Sequence, residues 1–207
     1  MNEVRISWRP DARYNIAPTQ TVPVVLDSEP QEMAQLRWGL IPWWAKDMRI
    51  GSSLINARRE TVASKPAFRE AFKKRRCLIP ADGFYEWQRI GDGKVPQHIW
   101  MLDREPFAFA GLWERWRDPA LGPEVDLLRT CTIITTDPNE LMAEIHDRMP
   151  VILPRESYAE WLSPETSAEA LQSLLRPYPA DRMEAYAISK RVNSPRYDDP
   201  SIVEPLL

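Results

Sequence analysis

The sequence predicts a single α+β domain over residues 1–207, built from a curved, mainly antiparallel sheet with peripheral helices. Eight short apolar runs carry β-branched or aromatic residues and are bounded by Pro, Gly or Asp, which is typical of strands. These runs do not alternate regularly with helices, and the chain has no glycine-rich phosphate loop, so a doubly wound nucleotide-binding fold is disfavoured. Neither an internal repeat nor a linker divides the chain.

The predicted strands are, in chain order, residues 21–26, 32–38, 76–80, 83–87, 97–102, 106–113, 130–136 and 184–189. Helices are predicted at residues 65–74, 138–145, 156–162 and 166–175. Ser64 is the expected N-cap of the first helix. Within that helix, Phe68 and Phe72 lie four positions apart and are expected to face the core, while Arg69 and Lys73 share another face.

The composition excludes several classes of protein. An apolar content of 43% and a charged content of 28% argue against disorder, and two cysteines do not make a disulfide scaffold. There is no run of about 18 apolar residues and no signal-peptide pattern, so we expect a cytosolic protein without a membrane segment. Cys77 and Cys131 have no second Cys or His at ligand spacing. We therefore predict no metal and no cofactor, and both thiols are expected to be buried and inert.

The charge is distributed unevenly along the chain. Residues 1–100 hold 16 Lys+Arg and 11 Asp+Glu, whereas residues 101–207 hold 11 and 19. Residues 49–76 contain nine basic residues against only Glu60 and Glu70. Such a local positive field suits a polyanion groove, and the alternative is a solvated helix face beside an unrelated acidic half.

Two segments are candidates for binding. In the run Trp38-Gly39-Leu40-Ile41-Pro42-Trp43-Trp44, adjacent tryptophans cannot both enter one core from a strand, so an exposed indole could stack on an unpaired base. Two packing aromatics are the alternative. In the run at 54–61, Asn56 and Arg58 stand two apart and would share one face of an extended segment, where the guanidinium could hold a phosphate. The alternative for Asn56 is an amide that satisfies loop backbone.

Two further segments are candidates for proton transfer. On a strand, Glu86 shares its face with Phe84, whereas Tyr85 and Trp87 take the other face. If the face of Glu86 is inward, burial would raise its pKa; if it is outward, Glu86 is an ordinary surface residue. The second segment holds His146, which has acid and base neighbours and a following Pro150, and is a candidate acid/base group at a cleft edge or else a capping His. The other histidine, His98, is expected to be structural.

Six blocks of the sequence together resemble the SRAP (SOS response-associated peptidase) family. They are RYNIAPT at 13–19, WGLIPWW at 38–44, INAR at 55–58, RRCLIPADGFYEW at 75–87, AGLWE at 110–114 and IHDRMP at 145–150, and they run in family order over nearly the whole chain. The resemblance implies a barrel-like SRAP fold. It also implies a DNA damage response protein that binds single-stranded DNA, or junctions of single- and double-stranded DNA, and captures abasic sites.

In this family, an N-terminal Cys forms an imine and then a thiazolidine with the abasic aldehyde, giving a DNA–protein cross-link. The resemblance assigns Asn56, Glu86 and His146 to catalysis. It assigns the DNA groove to Trp43, Trp44, Arg58, Lys65, Trp87, Thr135 and Arg148. Family descriptions also use the terms peptidase, hydrolase and lyase, so we leave open whether this chain is an enzyme. We expect a monomer that associates with the nucleoid during repair and requires no membrane.

The sequence departs from the family pattern at its start. Family members begin Met-Cys-Gly-Arg, whereas this sequence begins Met1-Asn2-Glu3 and reaches Arg13 after twelve residues. Cys77 belongs to the family's own RRCLIP block, so it is no displaced substitute. Either the start was assigned downstream of the Met-Cys, which the retention of all three catalytic residues favours, or this is a diverged member. In both cases we expect the 207-residue polypeptide to bind DNA without cross-linking.

Two rival functions stay open at this point. The first is a non-covalent single-stranded-DNA module in which Trp and Arg side chains suffice for affinity. The second, more remote, is a peptidase acting in trans, with Glu86 and His146 as acid and base; no serine–histidine or metal motif supports it.

Overall fold

Short helices surround two β-sheets in the computed structural model, which describes residues 11–28, 32–122 and 124–206. The strands are β1 (Thr21–Leu26), β2 (Met33–Trp38), β3 (Asn56–Arg58), β4 (Arg76–Ala81), β5 (Gly83–Ile90), β6 (Gly93–Met101), β7 (Phe107–Trp116), β8 (Leu128–Thr136), β9 (Met149–Pro150), β10 (Ile152–Leu153) and β11 (Met183–Ala187). The α-helices are α1 (Arg69–Lys74), α2 (Glu140–Ala143), α3 (Tyr158–Leu162) and α4 (Ala168–Leu174). Segments of 3-10 helix occupy Met48–Ser53, Arg155–Ser157, Ala180–Arg182, Lys190–Asn193 and Pro200–Val203.

Five strands close into a barrel. Strand β1 pairs with β2 and β4, β4 pairs with β7, β7 pairs with β8, and β8 returns to β2. The β2–β8 pairing is parallel and the other four are antiparallel. The expectation of a curved, mainly antiparallel, barrel-like sheet in an α+β domain is confirmed.

Additional strands extend the barrel near one end. The short β3 runs parallel to β8, β9 pairs with β8, and β10 pairs with β7. A second, three-stranded antiparallel sheet has the order β11-β6-β5. The end of β8 therefore meets both β3 and β9, which carry two of the segments singled out from the sequence.

Each face of the barrel strands packs on a different layer. On β1, Val24 and Val25 are both buried, but they belong to two different apolar clusters because successive side chains alternate. The cluster of Val25 includes residues of α1, α3 and α4, whereas that of Val24 includes Ile99 of β6 and Met183 of β11. Helices α1, α3 and α4 thus cover one face, and the three-stranded sheet together with α2 covers the other. No helix in the described ranges is long and apolar enough to cross a membrane.

The first predicted helix starts later than expected. Helix α1 begins at Arg69, and the N-cap residue is Phe68, without a side-chain cap hydrogen bond. The Ser64 hydroxyl donates to the Thr61 carbonyl at 3.3 Å and caps no N–H of α1, so the expected Ser64 cap is wrong. Burial of Phe68 and Phe72 is confirmed.

One buried arginine holds the ends of two helices. The guanidinium of Arg76 is enclosed, and it donates to the carbonyls of Phe72 at 3.0 Å, Lys73 at 2.7 Å, Trp161 at 2.8 Å and Ser163 at 2.7 Å. These carbonyls come from the C-terminal ends of α1 and α3, where a helix leaves its last carbonyls without intrahelical partners. Burial lowers the pKa of the guanidinium from its usual value.

The RYNIAPT block is attached to the C-terminal segment. The Asn15 side-chain amide donates to the carbonyls of Val192, Ser194 and Tyr197 at 3.0–3.2 Å. The Asp198 carboxylate accepts from the backbone N–H of Asn15 at 2.9 Å. Residues 13–15 are therefore fixed by residues far away along the chain.

Candidate nucleic-acid interface

The two adjacent tryptophans occupy the apex of an anchored turn. Trp43 is 65% exposed and Trp44 is 45% exposed, so the expectation of exposed indoles is confirmed and the alternative of two packed aromatics is wrong. The Ala45 N–H donates to the Pro42 carbonyl at 2.9 Å, and the indole N–H of Trp116 donates to the Ala45 carbonyl at 2.7 Å. Because the flanking residues are held in the core, the indoles are presented to solvent on a fixed support.

This turn lies beside the segment that leads into β3. The indole N–H of Trp38 donates to the Ile55 carbonyl at 2.9 Å, and the Leu40 N–H donates to the Leu54 carbonyl at 3.2 Å. Gly39, with a φ of +125°, approaches the backbone so closely that a Cβ there would stand 2.7 Å from the Gly51 carbonyl oxygen. Only glycine permits this approach.

Strand β3 presents one amide and one guanidinium to solvent. Asn56 and Arg58 are exposed while Ala57 between them is buried, as the shared-face expectation requires. Neither the Asn56 amide nor the Arg58 guanidinium has a hydrogen-bond partner among the residues the structure describes. Arg58 stands opposite Thr135 of β8 in the parallel register. Arg58 is thus a free cation available to an anionic ligand.

Arg148 has a different environment from Arg58. Its side chain is 18% exposed, and it contacts both carboxylate oxygens of Glu60 at 2.9 and 3.0 Å, Asp137 at 3.1 Å and the Thr135 carbonyl at 2.9 Å. These contacts attach the segment after α2 to the end of β8 and the loop after β3. Sequence reasoning missed Glu60 and Asp137 as partners, since they are 88 and 11 positions from Arg148.

Glu86 lies on the inward face of β5. Phe84, on the same face, packs edge-on against Phe109 with ring centroids 5.8 Å apart, whereas Tyr85 and Trp87 pack with the opposite cluster of C-terminal residues. Burial raises the pKa of the Glu86 carboxyl above its usual value. Among the neighbouring groups, His146 lowers the pKa of Glu86 most strongly, but less than burial raises it. The Trp87 N–H also lowers the pKa, the Asp147 carboxylate raises it, and Lys94 lowers it.

His146 lies just beyond α2 and remains partly accessible. Its side chain is 43% exposed, and its Nδ1 lies 3.1 Å from both the Arg148 backbone N–H and the Asp147 carboxylate. When the ring is neutral, Nδ1 accepts the backbone N–H, and Nε2 carries the proton. Glu86 and His146 interact electrostatically, although no hydrogen bond joins them in the described ranges. Together they form a partly buried carboxyl and an accessible imidazole within each other's field.

Comparison with known proteins identifies the family. The model of the SOS response associated peptidase (SRAP) family matches residues 2–195. The chain belongs to the SRAP family. Abasic site processing protein YoqW of Bacillus subtilis (strain 168) is 52% identical over 194 residues, which are 92% of this chain and 85% of that protein. Abasic site processing protein HMCES of Gallus gallus is 32% identical over 232 residues, which are 96% of this chain and 67% of that protein.

Solved structures support the SRAP fold. A crystal structure of a Bacteroides thetaiotaomicron protein matches with a TM-score of 0.82 at 35% identity, covering 91% of this chain and 82% of that one. A Bordetella bronchiseptica protein matches with a TM-score of 0.76 at 30% identity, covering 91% and 92%. The barrel and its attached three-stranded sheet are therefore the SRAP architecture.

The remaining residues that the SRAP resemblance assigns to DNA differ in accessibility. Lys65 is exposed, and its ammonium lies 5.4 Å from the centre of the Phe68 ring. Trp87 is half-buried, and its indole N–H donates to Asn193 at 2.8 Å. Thr135 is 8% exposed, and its carbonyl accepts from the Arg59 N–H at 2.9 Å and from Arg148. Of these three, only Lys65 offers a free charge at the surface.

Neither cysteine is positioned for chemistry at the surface. Cys77 and Cys131 are free and fully enclosed, as expected, and burial raises the pKa of both thiols. His98 is buried and its Nδ1 pairs with the Tyr186 hydroxyl at 2.9 Å, in agreement with a structural role. Among the described residues, no group of three or more His, Cys, Asp or Glu could hold a metal ion. The expectations about the N-terminal Cys concern residues 1–10, which lie outside the described ranges.

Proposed function

We propose that the chain binds single-stranded DNA and senses abasic sites in the surface formed by the Pro42–Ala45 turn, β3, β5 and the 146–148 segment. The observation that carries the proposal is the combination of exposed indoles at Trp43 and Trp44 with an unpaired guanidinium at Arg58 on neighbouring segments. Relatives at 52% and 32% identity that are named abasic site processing proteins support it.

The surface suits a single DNA strand that lacks one base in two ways. The π-face of an indole stacks on any base, and each stack contributes about 1–3 kcal/mol. Arg58 would pair with a phosphate in a charge-assisted hydrogen bond. Arg148 is engaged by Glu60 and Asp137, so it contributes to DNA binding by holding the 146–148 segment, or by exchanging carboxylate for phosphate. We propose that Lys65, Trp87 and Thr135 flank the same groove.

We further propose that Glu86 and His146 are the acid and base of abasic-site capture and that Asn56 positions the reacting amine. An aldehyde and an α-amine form an imine with release of water, which requires a proton donor for the departing oxygen and an acceptor for the amine proton. Burial raises the pKa of the Glu86 carboxyl, which makes it better matched to proton transfer than a free carboxyl, and the partly exposed His146 ring exchanges the second proton. In the family, addition of the thiolate to the imine carbon then closes the thiazolidine.

A non-covalent single-stranded-DNA module is the second candidate. It is favoured by the enclosure of Cys77 and Cys131, since neither thiolate can reach a DNA aldehyde at the surface. We therefore expect the 207-residue polypeptide to bind abasic DNA without forming a thiazolidine.

The deciding experiment incubates the 207-residue polypeptide with three single-stranded oligonucleotides, which carry an aldehyde abasic site, its reduced non-aldehyde analogue, or an intact base. Native and denaturing gels are compared, with intact mass spectrometry of any adduct. We expect a native shift with all three strands and no covalent band. Absence of any shift would contradict DNA binding, and an aldehyde-dependent adduct would reveal another nucleophile, identified by peptide mapping.

The acid/base assignment needs a version of the chain that starts with Cys-Gly-Arg. In that version, Glu86→Gln or His146→Ala should slow cross-linking by about 10²- to 10⁴-fold, while most non-covalent affinity remains. Unchanged cross-linking rates in both variants would remove the roles assigned to these residues.

A further inference from the structure

A glutamine bridge joins β5 to the end of α2. Gln88 accepts a hydrogen bond from the Gln97 side-chain amide at 3.1 Å and donates one to the Glu144 carbonyl at 2.8 Å. Glu144 is the C-cap residue of α2, and its carbonyl is one of those that a helix end leaves without an intrahelical partner. Through this bond, a side chain of the three-stranded sheet supplies the hydrogen-bond donor that the carbonyl at the end of α2 lacks within its own helix.

The two ends of the bridge coincide with the two proposed proton-transfer elements. Gln88 lies two residues after Glu86 on β5, so both side chains share one face. Gln97 stands directly opposite Glu86 on β6, and it is buried. At the other end, His146 follows Glu144 by two residues, and its N–H donates to the Met142 carbonyl at 2.8 Å.

We propose that Gln88 is a positioning residue that sets the separation between the Glu86 carboxyl and the His146 ring by holding the end of α2 against β5. This rests on the proposed function of those two residues as acid and base. Within the described residues, the bond from Gln88 to Glu144 is the one side-chain hydrogen bond between β5 and the segment 139–148.

The orientation of the Gln88 amide is fixed by its partners. A flipped amide would place its oxygen against the Glu144 carbonyl oxygen and its NH₂ against the Gln97 NH₂, so both hydrogen bonds would be lost. Leu141 and Ile145 also pack against the core from this segment, but apolar contacts are non-directional and permit small shifts. The hydrogen bond supplies the directional restraint that those contacts lack.

The charged groups around the pair are few. Besides His146, the Glu86 carboxyl is influenced by Asp147 and by Lys94 from β6. The His146 ring faces Asp147 and the Arg148 backbone N–H. Substituting the neutral Gln88 changes none of these charges, so a change in the coupling of Glu86 to His146 would report a change in geometry.

Proton NMR of the histidine rings tests the proposal without DNA. The sequence has two histidines, so the Cε1–H resonances of His98 and His146 can be assigned by single substitutions. The chemical shift of each resonance is plotted against pH. An inflection of the His146 plot that is lost in Glu86→Gln is the one that titration of Glu86 imposes. Gln88→Leu removes both hydrogen bonds, and Gln88→Asn keeps the amide but shortens its reach. Gln35→Leu, at an exposed position on β2, is the matched control.

We expect the size of the Glu86-dependent inflection of His146 to change in Gln88→Asn and Gln88→Leu and to keep its wild-type value in Gln35→Leu, with the His98 curve unchanged. His146 curves that superimpose on the wild-type curve in both Gln88 variants would overturn the proposal. Gln88→Asn decides the matter if Gln88→Leu does not fold. Because the readout requires no DNA, a failure of the proposed DNA binding would leave this result standing.

Kinetics supply a second readout in the version of the chain with a Cys-Gly-Arg start. Gln88→Leu should lower the cross-linking rate by about 10- to 100-fold, since misplacement of a catalytic group by about 1 Å has effects of this size. Affinity for an intact strand should fall by a much smaller factor than the rate. Equal losses of rate and of intact-strand affinity would contradict a positioning role.

Discussion

Substitution of two arginines separates DNA binding from structural support. Arg58 is exposed and has no partner in the described residues, whereas Arg148 is engaged by Glu60, Asp137 and the Thr135 carbonyl. Arg58→Ala therefore removes a charge without breaking a contact, and its effect on the free energy of unfolding should stay within about 0.5 kcal/mol. Arg148→Ala removes one of the two donors to the Thr135 carbonyl, and it leaves the Glu60 and Asp137 carboxylates without the guanidinium that they share.

The expected magnitudes follow from these contacts. A hydrogen bond to a charged group contributes about 1.5–3 kcal/mol, so Arg58→Ala should weaken binding of single-stranded DNA by about 10- to 100-fold at low salt. Loss of one neutralised phosphate should also reduce the slope of log K against log salt by about 0.7. Arg148→Ala should destabilise the fold by about 1–3 kcal/mol, which lowers Tm by about 2–12 °C in a domain of this size.

Fluorescence anisotropy of a labelled oligonucleotide over a range of salt concentrations, together with thermal unfolding, measures both effects. Arg182→Ala is the matched control, because Arg182 is exposed and lies outside the proposed groove, near Leu102 at the Met101 end of β6. An Arg58→Ala variant with the wild-type affinity and salt slope would refute the assignment of Arg58 to phosphate binding. A lowered Tm in that variant would show that its side chain has a structural partner.

Three other predictions concern the buried carboxyl of Glu86, the buried guanidinium of Arg76 and the exposed indoles of Trp43 and Trp44. Burial raises the pKa of Glu86, so the folded state holds this proton more tightly than the unfolded state, and stability is lost as pH rises from the unfolded pKa through the folded one. Glu86→Gln should therefore raise Tm at neutral pH but not near pH 4; a pH-independent difference would contradict this cause. Arg76→Leu should lower the free energy of unfolding by about 3–5 kcal/mol, because four helix-end carbonyls lose their donor. In chemical denaturation, Arg76→Lys should retain only part of the wild-type stability. Wild-type stability in Arg76→Leu would refute this role of Arg76. Trp43→Ala and Trp44→Ala should each weaken binding of single-stranded DNA by about 1–3 kcal/mol without lowering Tm, as measured by anisotropy and thermal unfolding; undiminished affinity in both would exclude stacking.

Local sequence patterns predicted most of the individual strands. The run at 21–26 coincides with β1, because its alternation and flanking turn residues are local features. The closure of the barrel through the parallel β2–β8 pair was not predictable, since it joins strands more than 90 positions apart. Strand β3 has three residues, and only pairing with β8 makes it a strand. The late start of α1 depends on the turn at Thr61, which propensity alone does not distinguish from a helix.

The candidate site was predictable in its residues and not in its contacts. Alternation on β5 correctly grouped Glu86 with Phe84, but whether that face points inward depends on the packing of the second sheet. The engagement of Arg148 by Glu60 depends on a contact across 88 positions. Gln88 carried no sequence signal, because its importance arises from the proximity of Glu144 in the fold.

The attachment of Asn15 to residues 192–197 has a consequence for synthesis. A ribosome adds about 5–20 residues/s, so Asn15 emerges about 10–40 s before its three carbonyl partners are made. During that interval the Asn15 side-chain amide has no carbonyl acceptor from residues 192–197, although the barrel strands, which end at Thr136, and Tyr85, whose hydroxyl donates to the Tyr14 carbonyl, are already made. A chain that ends before residue 192 would therefore contain every barrel strand but would leave the Asn15 side-chain amide without its three carbonyl acceptors.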